Sequence, residues 1–336
     1  MTKKYLASLL LMIVAVYFLA AYQLPFYIYK PGGADALNPI VEVEEGYESK
    51  GDMHLVTVSG GQATPVQYIL AKVLPHHQIV PIEEVFPDGI TDDEYMHAQL
   101  QMMENSQEAS TVVAYKAAHQ DISIDYNGVY VVSIVENMPA DGKLQMGDRI
   151  IGIDGEEIKE ANDLIHYVEE KKANETITVD FVRDEKEMSV KITLESLADL
   201  GNKPGIGIRL VTDRAVSVNP QVHFSSGKIG GPSAGLMFSL EIYDQLTEED
   251  LTKGYEIAGT GEIDYDGNVH RIGGIDKKVV AADKEGADIF FAPNEAGNGE
   301  TNYEIARKKA AEIETDMKIV PVDTFEDALD YLQQLK

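Results

Sequence analysis

A chain of 336 residues, 44% hydrophobic and 25% charged, has room for two modest domains and an anchor. Its 57 acidic and 28 basic residues give a net charge of −29, which excludes a nucleic-acid surface built on basic patches and adhesion to anionic lipid through overall charge. With no cysteine, disulfides, thiolate metal sites and a cysteine nucleophile are excluded too.

In chain order, Lys3 and Lys4 precede an uncharged, mostly apolar run from Tyr5 to Tyr22. The run is long enough to span a bilayer as a helix. The lysine bias places the N-terminus in the cytoplasm and the body outside. A cleaved signal peptide is the rival, but Phe18 or Leu19 puts bulk where a cleavage site at Ala20-Ala21 needs a small residue. The expected layout is a cytoplasmic tail over 1–4, a transmembrane anchor over 5–24 and an extracytoplasmic mixed α/β region over 25–121. The protein is then a single-pass cell-membrane protein with its body extracytoplasmic. Pro31 to Pro39 reads as a loop, Ile40–Val43 and His54–Ser59 as strands, Thr64–Leu74 as a short helix and Asp92–His119 as a long one. His76-His77 has no partner at metal-ligand spacing, so no metal or cofactor is expected.

A second unit spans residues 122–199. It carries Gly128-Val129-Tyr130-Val131-Val132, then Leu144-Gln145-Met146-Gly147-Asp148-Arg149-Ile150-Ile151-Gly152-Ile153-Asp154-Gly155, a helix near Ala161–Lys171, and strands at Thr176–Arg183 and Glu187–Leu194. This resembles a PDZ domain. The resemblance implies that a peptide adds as a strand to a sheet edge, its carboxylate held by a loop. That loop would be Asn127, Gly128, Val129 and Tyr130, which departs from the usual Gly-Leu-Gly-Phe form.

The third unit spans residues 207–336 and alternates strands and helices, giving an α+β chain overall. Gly230-Gly231-Pro232-Ser233-Ala234-Gly235 leads into the helix Leu236–Leu246. Proline suits a first helical turn, so Ser233 lies at a helix N-terminus, where unpaired N–H groups can hold an oxyanion. Gly231, Pro232 and Ala234 shape that loop. Tyr255–Ile263, with a turn at Asp264–Asn268, reads as a hairpin. Downstream stand Gly259-Thr260-Gly261-Glu262 and Gly273-Gly274-Ile275-Asp276-Lys277-Lys278.

These three motifs, in this order and spacing, resemble the proteolytic domain of the Lon family. The whole chain is similar to the membrane-anchored PDZ–Lon-like serine proteases of Gram-positive bacteria. The resemblance implies Ser233 as nucleophile, Lys278 as general base and Thr260 as the residue that hydrogen-bonds the lysine. It also implies peptide or protein substrates and a homo-oligomer, a hexamer in most Lon-like domains. No Walker A motif is present: Gly227-Lys228 is followed by Ile229 and lacks the upstream glycine, so cleavage without ATP is expected.

A lysine base must be neutral near pH 7, well below its free value of about 10.4. His223 and His270 are the alternatives, since histidine needs no such shift. On a helix at about 100° per residue, Ile275, Val279 and Ala282 form an inward stripe. Lys278 lies at its edge and Lys277 on the opposite, solvated face. The rival function is a membrane-tethered PDZ scaffold with a degenerate, non-catalytic protease domain.

Overall fold

The uncharged N-terminal run folds as α1 (Lys3–Ala21). This computed structural model describes residues 3–86, 92–197, 201–297 and 299–335. Residues 1–2 of the expected tail and the expected boundary at 199 lie outside them. From Leu9 to Leu19 the large apolar side chains of α1 are exposed. Among the described residues, no helix is long and apolar enough to cross a membrane.

After α1 come β1 (Phe26–Ala36), β2 (Val41–Val43), β3 (Met53–Gln62), α2 (Pro65–Val73), β4 (Gln78–Pro81), α3 (Ile82–Val85) and α4 (Asp92–Ala117). Thr64 caps α2 and exchanges bonds with Gln67, a capping box that fixes where the helix starts. The expected loop at Pro31 is instead part of β1. Its breakers Pro31-Gly32-Gly33 sit where the register with β3 shifts, between Pro31 and Ala34. A side chain at Gly32 would collide with Thr57.

The chain then builds β5 (Asp121–Ile134), β6 (Arg149–Ile153), β7 (Glu156–Glu157), α5 (Ala161–Glu169), β8 (Thr176–Arg183), β9 (Lys186–Thr193), β10 (Glu195–Leu197), β11 (Lys203–Gly205) and β12 (Ile208–Asn219). It continues with β13 (Val222–Phe224), α6 (Gly235–Leu246), β14 (Ile257–Gly259), β15 (Glu262–Ile263), β16 (Val269–His270), α7 (Ile275–Glu285), β17 (Ile289–Pro293), α8 (Asn302–Glu312), β18 (Lys318–Val322) and α9 (Phe325–Gln333). Of the expected hairpin only β15 pairs across the turn, with β16; Ile257–Gly259 joins a larger sheet.

Two compact units result: 1–121 joined with 218–336, and 122–217. This differs from the expected partition, in which 25–121 and 207–336 stand apart. The reason is one six-stranded sheet in the order β18-β17-β14-β3-β1-β4. Strand β14 is buried throughout and needs a partner on each edge. It pairs in parallel with β17 on one side and with β3 on the other, Ile257 opposite Met53 and Gly259 opposite Leu55. Val56 of β3 thereby shares a core with Ala258, Ile275, Val279, Ala282 and Phe290.

The 122–217 unit is a sheet in the order β12-β5-β6-β8-β9 over a core including Val129, Ile150, Ile153, Leu164, Val168 and Phe181. The Gly147-Asp148 pair of its motif has a structural task. Buried Asp148 accepts two hydrogen bonds from Arg183, Nε and Nη2 each at 2.6 Å. Asn127–Tyr130 is not a loop, contrary to expectation. These residues lie inside β5, with Val129 opposite Ile150 and Tyr130 opposite Arg149. Gly128 (φ 117°) relieves the strand where it crosses the Ile150 carbonyl. Strand β5 lies between β12 and β6, so it is not the edge strand of this sheet.

Candidate active site

Ser233 sits on the turn that enters α6, and its position is set largely by α4. Gly231 takes φ 88°, a conformation that favours glycine. Its N–H donates to the Gln99 carbonyl at 2.8 Å. Ser106 Oγ donates to the Pro232 carbonyl at 2.9 Å, and Ser110 Oγ to that of Gly235 at 2.9 Å. A Cβ at Gly235 would lie 2.7 Å from Ile263 and 2.9 Å from Ser106 Oγ, so only glycine lets α6 start this close to α4. With Gly231 engaged, its N–H is not available for an oxyanion. Among the described residues, the N–H groups of Ser233 and buried Ala234 donate to nothing and remain for that task.

Lys278 approaches from the first turn of α7. Its Nζ lies 2.7 Å from Ser233 Oγ and 2.8 Å from Thr260 Oγ1. Thr260 is fully buried, and its hydroxyl donates to the Ser233 carbonyl at 2.9 Å while its lone pair faces the lysine. Gly261 N–H donates to the same carbonyl at 2.9 Å. The serine's backbone and the amine are thus fixed through one threonine. Burial pushes Lys278 down to about 7, since no carboxylate repays the loss of water. A neutral amine so placed donates to Thr260 Oγ1 and keeps its lone pair for the Ser233 hydroxyl proton.

Lys277 departs from the helical-wheel expectation. It is only 4% exposed, and its Nζ donates to Gln78 Oε1 at 2.8 Å and to Asp276 Oδ2 at 3.2 Å. Helix α7 is packed against β1 and β3 as well as α8, so its second face is covered too. Neither histidine approaches the serine. Exposed His223 lies on β13, 3.5 Å from Glu44. His270 is held between Glu295 and Asp264, each at 3.2 Å. Partial burial opposes its charge, but the two carboxylates outweigh that and raise its pKa above the ordinary histidine value. Among the described residues, no group of His, Asp and Glu could hold a metal ion.

Ser233 and Lys278 open onto a cleft of about 1120 Å³, lined by Tyr29, Tyr95, Met96, Gln99 and Arg271 among others. Strand β1 pairs with β4 only over Phe26–Tyr29, so Lys30 to Gly33, which also line the cleft, carry no β4 neighbour.

Residues 208–334 match the Lon protease (S16) C-terminal proteolytic domain, and residues 96–194 match the PDZ domain. The chain joins a PDZ domain to a Lon-type proteolytic domain. The latter is a serine-type peptidase domain. Lon protease of Campylobacter jejuni is 33% identical over 130 residues, covering 37% of this chain and 15% of that protein. Lon protease of Campylobacter concisus is 36% identical over 111 residues, covering 32% and 13%. The chain therefore spans only a small part of the curated relatives it matches. The crystal structure of the PDZ domain of an SdrC-like protein from Listeria monocytogenes is 37% identical, covering 26% of this chain and 90% of that one, with a TM-score of 0.25. The Lon-type match begins inside β12, yet the fold that holds Ser233 also takes in β1, β3 and α4. Sequence reasoning missed Gln99, Ser106 and Ser110. The available signal was a pair of hydroxyls at i and i+4 beside inward Met103, Val113 and Ala114 on one helix.

Proposed function

We propose that this protein is an ATP-independent serine endopeptidase in which Ser233 attacks a peptide carbonyl and Lys278 is the general base. The observation that carries the reading is the 2.7 Å approach of Ser233 Oγ to a fully buried lysine amine. Neutral Lys278 takes the hydroxyl proton as Oγ bonds to the carbonyl carbon. The carbonyl oxygen, now negative, is received by the N–H groups of Ser233 and Ala234. Lys278 then returns the proton to the leaving amine, and the acyl-serine is hydrolysed by water activated the same way. Substrate enters extended along the uncovered edge of β1, which restricts it to peptides or flexible segments. The test is hydrolysis of a fluorogenic peptide library. Lys278→Ala should lose about 10²–10⁴-fold in rate or more, and Ser233→Ala about 10⁶-fold, with the circular dichroism spectrum unchanged. Full activity in Lys278→Ala would remove the dyad. No cleavage by the wild type under any condition would favour the non-catalytic scaffold.

The PDZ unit selects substrate in this proposal, at a place other than the one expected from sequence. Its edge strand β12 is preceded by Gly205-Ile206-Gly207, where Gly207 takes φ 77°. The Ile206 and Gly207 carbonyls accept from Ala140 and Val135, while among the described residues their N–H groups have no acceptor. Helix α5 lies alongside, with Ala161 N–H donating to Thr212 Oγ1 of β12 at 3.0 Å. A peptide adding to β12 would leave its carboxylate at those two N–H groups.

The membrane anchor belongs to the same proposal. It is supported by the uncharged run from Tyr5 to Tyr22, by Lys3 and Lys4 ahead of it, and by exposed apolar side chains along α1. The peptidase would then act outside the membrane, and protease added to intact protoplasts should digest it. A homo-oligomer, a hexamer on the family resemblance, is checked by light scattering of the detergent-solubilised chain.

A further inference from the structure

Helix α2 turns its apolar stripe outward. Val66, Ile69, Leu70 and Val73, with Leu74 just beyond the last turn, follow the i, i+3, i+4, i+7, i+8 spacing of one helical face. They are 43, 59, 49, 79 and 45% exposed. On the inward side Ala71 is buried, and the Tyr68 ring lies 4.9 Å from that of Phe26, tilted to it by 42°. A contiguous exposed stripe of this kind marks an interaction surface.

Two features say what covers it. The first is continuity with α1, which packs against α2. The chain leaving α1 is fastened where α2 starts: Leu24 N–H donates to the Ala63 carbonyl at 2.8 Å, and Gln62 Nε2 to the Leu24 carbonyl at 3.0 Å. Thr64, the next residue, caps α2. The exposed apolar surface of α1 therefore continues onto α2. The second is charge. In a chain with 57 acidic residues, no Asp or Glu occurs before Asp35 or between Asp52 and Glu83. Apart from Tyr68, the ionisable residues in and just after α2 are Lys72, His76 and His77. Lys72 folds over the Tyr68 ring, 4.6 Å from its centre, beside the stripe. An acid-free apolar stripe with basic residues at its margin suits a lipid interface.

We propose that α2 is an interfacial helix, its stripe seated in the headgroup–acyl boundary of the bilayer from which α1 emerges. This rests on the anchor reading of α1. It does not need net positive charge, because the contact is apolar and local.

The cysteine-free chain allows a direct test. The full-length protein carrying Ile13→Cys, Val73→Cys or Gln333→Cys is labelled with an environment-sensitive fluorophore and reconstituted in phosphatidylcholine–phosphatidylglycerol vesicles with brominated acyl chains. Gln333 is an exposed residue on α9, which packs on β18 at the sheet edge opposite β4. The labels on Ile13→Cys and Val73→Cys should be quenched by about half, as for groups ~5–10 Å deep or deeper, and that on Gln333→Cys not at all. Quenching at Ile13→Cys without Val73→Cys would leave the anchor standing and overturn the interfacial helix. Absence at both would overturn the two together. A blue-shifted but unquenched Val73→Cys label that crosslinks to a second copy would make the stripe an interface between copies, and would overturn the lipid assignment.

Discussion

A buried lysine without a counter-ion is costly in its charged form, and at Lys278 that cost bears on stability and, in the proposed dyad, on activity. Burial lowers its pKa to about 7, against a free value of about 10.4. In the proposed dyad the neutral amine is the base, so kcat/KM should fall about tenfold per pH unit below about pH 7 and level off above it. A profile whose acid limb vanishes in His270→Gln instead would move the base to that residue. Between about pH 7 and 10.4 the unfolded chain binds a proton that the folded one does not. This group's contribution therefore weakens as pH falls through that window, by roughly 4–5 kcal/mol, and is constant below it. Lys278→Met loses hydrogen bonds to Thr260 and Ser233 worth about 1 kcal/mol each. It should still melt no lower than wild type at pH 7 by calorimetry, while being inactive. Lys278→Arg should be inactive too, because a guanidinium stays charged.

Helix α4 is the element that most changes the picture of the site. It reads from sequence as a packing helix, and its buried serines prove to hold two carbonyls of the nucleophile loop. Ser106→Ala leaves the Pro232 carbonyl without its donor. The expected loss is about 1–3 kcal/mol of stability. A fall in kcat larger than the change in KM would mark a positioning role; equal activity per folded molecule would reduce Ser106 to a structural residue. Strand β3 contributes in the same way to the sheet. Residues 207–336 expressed alone would keep β17 but lack β3, the second parallel partner of β14, and the neighbours of α7 on β1 and β3. That fragment should fail to give dispersed amide resonances.

At the scale of the molecule, the PDZ unit is an insertion within the fold that carries Ser233. Joining Asp121 to Val218 through a short flexible linker should therefore leave a folded peptidase unit. Cleavage of a short generic peptide should persist, and cleavage of the natural substrate should fall further. Equal losses on both would count against selection by the PDZ unit. Unfolding of the shortened chain would mean that the insertion is needed for the fold.

The sequence alone determined the local and the chemical. Gly230 to Gly235 specify the turn, Thr64 and Thr324 the capping boxes, and Gly274 the left-handed cap before α7. Ser233, Thr260 and Lys278 could be singled out because the three short motifs that hold them resemble, in order and spacing, the Lon proteolytic domain. Tertiary structure decided what lies between distant segments. That β3 completes the sheet, that Gln99 takes the Gly231 N–H, that Asn127–Tyr130 run inside β5, and that Lys277 is covered on the far side of α7 all depend on neighbours from elsewhere in the chain. Periodicity reports that a face is apolar; it does not say how many faces a helix buries or which strand supplies the missing hydrogen bonds. Helix α2 displays the same limit in reverse. Its spacing marks one apolar face, and only the fold reveals that this face points away from the core.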